Sequence, residues 1–193
     1  MFYIGLHGIF ASFICSTIFH PVDTIKVRLQ GNKPIFNKSL YNGIKLRYVT
    51  STVQSGTFWT VYEEIKKTKS TAEASAYASF IAALAETPFD IIKRRSQLCN
   101  RALSWKLMAQ YTGLNTISSI NQMTSYLTFC DNMNPAAAGF ITSLISYPLD
   151  TLKTMTLSQK IPKLQQLTYG YLFKIIYITG YLNLNTHIMN LTK

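Results

Sequence analysis

Pro21-Val22-Asp23-Thr24-Ile25-Lys26 returns twice in this chain, as Pro88-Phe89-Asp90-Ile91-Ile92-Lys93 and as Pro148-Leu149-Asp150-Thr151-Leu152-Lys153, and this recurrence constrains the fold more than any other feature. The intervals of 67 and 60 residues divide the 193-residue chain into three similar units, 1–69, 70–133 and 134–193. A single Pro-x-Asp-x-x-Lys carries little information, because Pro and Asp are both favoured where helices begin. Three copies in register, each following a stretch rich in apolar and small residues, define a repeat. Units one and two also carry a second base, Arg28 and Arg95, and a glutamine nine residues past the proline, Gln30 and Gln97. The third unit departs, with Met155 and Leu157 at those places.

This pattern resembles the mitochondrial carrier family, whose odd-numbered membrane helices end in Pro-x-[Asp/Glu]-x-x-[Lys/Arg], and the resemblance spans the whole chain. It implies an all-α membrane protein of six transmembrane helices, arranged as three pseudo-symmetric two-helix repeats within one domain, 1–193. The helix-kink prolines are then Pro21, Pro88 and Pro148. The family also has an amphipathic surface helix within each repeat. The intervals from Gln30 to Arg47 and from Gln97 to Lys106 are too short for one, so these matrix surface helices are expected to be reduced or missing.

Composition agrees with a membrane protein without requiring one. Hydrophobic residues make up 48% of the chain, yet the mean hydropathy is only +0.11 and no run of about 18 wholly apolar residues appears. The distribution of charge is more telling than its net value of +11. Fifteen of the nineteen basic residues lie between a motif proline and the next apolar segment; Lys66, Lys67, Lys69 and Lys193 lie at the opposite ends. Such alternation is the positive-inside pattern. It puts the motif loops in the matrix and both termini towards the intermembrane space. A nucleic-acid partner is not expected, since no basic stretch is interleaved with aromatics as a binding platform requires. The apolar start, Met1-Phe2-Tyr3-Ile4, gives no expectation of a cleavable presequence.

The resemblance also assigns roles. The acid of one repeat pairs with the base of the next, giving a matrix salt-bridge network of Asp23 with Lys93, Asp90 with Lys153 and Asp150 with Lys26, with Gln30 and Gln97 as braces. At the outer end the family motif of aromatic, acid and base survives only in Tyr62-Glu63-Glu64-Ile65-Lys66, so Glu63 and Lys66 are the remnant of an outer network; Tyr126-Leu127-Thr128-Phe129-Cys130 lacks both charges. Counting about three turns back along the even helices gives Thr50, Leu114 with Asn115, and Leu182 with Asn183 as candidate substrate contacts, none of them charged. Leu46-Arg47, Trp105-Lys106 and Phe173-Lys174 open the even segments and suit the headgroup level. Glu86, two residues before Pro88, is costly inside a membrane unless paired; either Arg94 or Arg95 neutralises it, or it lines the cavity as a proton or cation site.

Nothing in the sequence forms a catalytic set. His7, His20 and His187 stand alone, and Cys15, Cys99 and Cys130 have neither disulfide nor metal spacing. No enzyme activity, metal or cofactor is expected, and the resemblance leaves room for bound cardiolipin. Uncharged contact positions and an incomplete outer network point to a degenerate, non-transporting accessory subunit of an inner-membrane assembly such as a respiratory complex. The alternative is a minimal transporter of a small neutral or weakly charged solute. Membrane lipids are partners in both readings.

Overall fold

A computed structural model describes residues 2–30, 34, 40–98, 104–158 and 170–191. It is all-helical: α1 Phe2–Gln30, α2 Ile44–Lys66, α3 Thr71–Leu98, α4 Trp105–Cys130, α5 Pro135–Ser158 and α6 Tyr171–Leu191. Each of the three sequence units holds two of these helices. The helices form a closed ring in which each packs on its chain neighbours and α6 returns to α1; the three odd helices also touch one another. Pro21, Pro88 and Pro148 lie inside α1, α3 and α5, so these helices continue through the motif and do not end at it. Each proline removes one backbone N–H from the helical ladder.

Local chemistry explains where the helices begin. Ser70 and Glu73 cap α3 reciprocally, each backbone N–H donating to the other's side chain at 3.3 Å. The Ser104 hydroxyl accepts from Leu107 N at the start of α4, and Asn134 Oδ1 accepts from Ala136 N ahead of α5, which has Pro135 as its first residue. α2 and α6 instead start from left-handed glycines, Gly43 with φ +84° and Gly170 with φ +81°. Both press on a neighbouring helix: an added Cβ would stand 3.4 Å from the Lys93 carbonyl oxygen at Gly43, and 3.3 Å from that of Lys26 at Gly170.

Small residues set the helix spacing. Ser12 bonds Ser55, and Ser16 bonds Ser51 at 2.6 Å, between α1 and α2. Ala74, Ala78 and Ala82 of α3 receive Phe58 and Tyr62 of α2. Among the described residues, buried polar and charged side chains outnumber buried apolar ones, while Phe10, Phe80, Leu84, Ile117, Phe140 and Ile176 point outward. Among the described residues, no helix is long and apolar enough to cross a membrane. Six helices are present, but none has the apolar length expected of a transmembrane helix, because each spends one face on the polar centre. The stretches 31–33, 35–39, 99–103 and 159–169, where the reduced surface helices and Cys99 were expected, lie outside the described residues.

Candidate functional site

At the motif end the three aspartates and three lysines meet in one buried layer. Lys26 of α1 reaches Asp150 of α5 at 2.9 Å, and Lys93 of α3 reaches Asp23 of α1 at 3.5 Å. The third expected pair is different. Among the described residues no contact within 4 Å joins Asp90 to Lys153; Lys153 turns to Asn115 Oδ1 at 3.0 Å and to Asp150 of its own helix at 3.2 Å. Arg94 spans that junction instead, with Nε 3.0 Å from Asp90, Nη2 3.6 Å from Asp150 and Nη1 donating to Thr154 at 3.1 Å. A long side chain ending in a planar fork of donors can serve two carboxylates, which the point charge of a lysine does less well. Asp150 is thus the hub, since Lys174 of α6 also approaches it, at 3.6 Å.

The glutamines follow the same rotation. Gln30 of α1 donates to Thr151 and accepts from Thr154 on α5, both at 3.0 Å. Gln97 of α3 donates to Thr24 at 3.2 Å and towards Asp23 at 3.4 Å on α1. At the corresponding place on α5, Leu157 is fully buried in an apolar cluster with Ile91, Leu98 and Tyr111. The Tyr111 hydroxyl donates to Asp90. One of the three junctions is therefore sealed by apolar packing and a phenol, and among the described residues it has no glutamine brace.

Beside this layer, between the helices, lies a cavity of about 110 Å³. Its walls include Arg47, Gln54, Glu86, Asn115, Ser118 and Tyr181, together with the Asp/Lys layer. Of the sequence-derived contact positions, Asn115 and Leu182 line it. Thr50 does not; its hydroxyl is bonded to the Leu46 and Arg47 carbonyls. Leu114 is half-buried and Asn183 exposed, and neither reaches the cavity. The wall is charged, contrary to the sequence expectation. Arg47 is buried, donating to Ser16 at 3.3 Å and to the Tyr177 hydroxyl, with its guanidinium 5.3 Å from the centre of the Tyr181 ring. It is not at a headgroup level, and neither is Lys174, which is completely buried; only Lys106 is exposed.

Glu86 also faces the cavity. Its carboxylate accepts from Asn115 Nδ2 at 3.4 Å, and among the described residues no base lies within 4 Å of it. Arg94 is committed to Asp90 and Asp150, so it does not neutralise Glu86. A shared spacing marks the two buried bases that sequence reading misplaced. Arg47 and Lys174 each stand four residues after a left-handed glycine, Gly43 and Gly170. The second repeat has Ser104 at that place, and its base, Lys106, comes two positions early.

The opposite end of the ring is aromatic and apolar. Phe58 stacks on Tyr62 at 5.6 Å, and Met123 and Leu127 join this group to a second cluster around Tyr126 and Tyr181. Glu63 is half-buried here, and Lys66 holds its ammonium 5.1 Å from the centre of the Tyr62 ring. An exposed pair, Lys67 with Glu64 at 2.8 Å, stays within one helix. Among the described residues no group of three or more His, Cys, Asp and Glu could hold a metal ion. Cys15 is buried, Cys130 half-buried, His187 exposed, and His20 bonds the Asn42 carbonyl at 3.1 Å. No protein-family model matches the chain, and no curated protein matches it.

Proposed function

We propose that this chain is a membrane-embedded transporter of the carrier type, with its motif end closed and a small polar solute bound between the helices. The observation that carries the reading is a charge-lined cavity at the centre of a ring whose outward surface bears large apolar side chains. Lipid would cover that surface, and each helix crosses by virtue of its outward face, with its polar face shielded by its neighbours. The ionic layer suits a gate: ion pairs at a partly dry constriction gain little net free energy over their desolvation cost and so can be exchanged. Alternating access through such a bundle needs a solute that biases the equilibrium between its two closed ends. The mitochondrial inner membrane is the proposed location, with motif loops in the matrix.

Reconstitution into liposomes tests this, using carboxylates, amino acids, phosphate and nucleotides in turn. Saturable exchange of one class, lost in Arg47→Ala, is the expected result. A folded, reconstituted protein that exchanges none of them sinks the transporter reading. One feature favours the second reading, an accessory subunit of an inner-membrane assembly: the outer acid–base motif is present in repeat one alone, at Glu63 and Lys66. Copurification of a stoichiometric large partner in mild detergent, without exchange activity, would establish that reading.

A further inference from the structure

Arg47 and Glu86 are opposite charges in the wall of one cavity, and among the described residues neither has an ionic partner within 4 Å. Arg47 has five N–H donors; those assigned go to the Ser16 and Tyr177 hydroxyls, and among the described residues no carboxylate lies within 4 Å. Among the described residues Glu86 has the Asn115 amide alone as a hydrogen-bond partner. The nearby bases are engaged elsewhere, Lys93 by Asp90 at 2.8 Å and Asp23 at 3.5 Å, Lys153 by Asp150 and Asn115. Each charge has lost water without gaining a counter-charge in direct contact, which is costly in a low-dielectric interior.

We propose that the cavity binds a small zwitterion, its carboxylate on Arg47 and its ammonium on Glu86. The inference rests on the transporter reading and narrows it to one solute class. A monoanion would satisfy Arg47 but leave Glu86 unpaired; a monocation would do the reverse. One solute carrying both charges satisfies both groups, and a planar guanidinium fork matches a carboxylate in two-point geometry. Size agrees. A cavity of about 110 Å³ is somewhat smaller than the roughly 150 Å³ cavity that accepts benzene, which suits a solute of about six heavy atoms. Gln54 and Ser118 supply further hydrogen-bonding groups in the wall. A small α-amino acid has this chemistry.

The test measures binding of glycine and alanine to the full chain in detergent, with propionate and ethylamine as the two half-charged controls, and repeats the set in liposome exchange. Wild-type protein should bind alanine or glycine at least tenfold more tightly than either control. Glu86→Gln should lose that margin and favour propionate over alanine; Arg47→Gln should favour ethylamine. Such an inversion of preference is not produced by loss of fold, and far-ultraviolet circular dichroism checks the fold directly. If propionate, phosphate or a nucleotide is exchanged while glycine and alanine are inert, the zwitterion falls and the transporter stands. If alanine binds equally well to both variants, the site is wrong. If no solute binds or is exchanged by folded protein, both readings fall.

Discussion

Gly170, which opens α6, rests against the backbone carbonyl of Lys26, and a Cβ there would stand 3.3 Å from that oxygen. The glycine is left-handed, with φ +81°, so a side chain meets both an unfavourable backbone and a crowded neighbour. Gly170→Ala is expected to destabilise by at least the 1–2 kcal/mol typical of a left-handed non-glycine residue. Gly113 is the control, since a Cβ there meets nothing within 4 Å. Gly113→Ala should leave the melting temperature unchanged or raise it, as alanine replaces glycine in a helix. Equal melting temperatures for the two variants would refute the packing argument.

Asp150 gathers Lys26, Arg94, Lys153 and Lys174 within 3.6 Å, more cations than Asp23 or Asp90. Asp150→Asn should therefore lower the abundance of folded protein more than Asp23→Asn or Asp90→Asn. Removing one partner of a buried pair typically costs about 3–5 kcal/mol. By the same argument Arg94→Ala, which takes a contact from two carboxylates, should be worse than Lys153→Ala, which takes one from Asp150 alone. Membrane abundance and thermal melting of the purified variants give the ranking; the reverse order would show that Lys153 spans the junction in place of Arg94.

These pairings show what the sequence could and could not supply. The repeat made the Asp and Lys positions and both glutamines legible, because a threefold pattern can only converge if equivalent residues face the same axis. It could not decide between Lys93-side and Lys153-side partners once Arg94 stood beside Lys93. Cavity contacts were lost for a simpler reason. One residue on a helix turns the side chain by about 100°, which is the difference between Leu182 in the wall and Asn183 outside it. Arg47 and Lys174 were misread because a base next to an aromatic or apolar residue near a loop looks the same in one dimension whether it points to lipid headgroups or to the axis.

Leu157 replaces the third glutamine and is fully buried against Ile91, Leu98 and Tyr111. Leu157→Ala should cost about 2–5 kcal/mol through the cavity it leaves. Leu157→Gln, which restores the repeat, should also destabilise, since its amide would be buried where apolar groups now pack. Chemical denaturation in detergent measures both. A stabilised Leu157→Gln variant would mean that the junction retains room for an amide brace.

The proposed orientation follows from the fifteen bases on the motif side. An epitope tag fused after Lys193 should be removed by protease added to intact mitoplasts, while a tag inserted beside Pro34 should survive until the membrane is permeabilised. Protection of the first tag and cleavage of the second would reverse the orientation.

Leu157 also breaks the equality of the three odd helices. The contacts from α1 to α3 and α5 are mainly ion pairs and amide bonds, which water can replace one by one, with Val27 as the one buried α1 side chain in the apolar cluster. The contact between α3 and α5 combines Arg94, shared by two acids, with packed hydrocarbon that water cannot replace. Three equal seams would part together, as the blades of an iris do. These seams are unequal, and α1 should swing away first while α3 and α5 travel as a single leaf of a hinge. Spin labels on Ile18, Ile92 and Leu144, all outward-facing, would record two widening distances and one that holds.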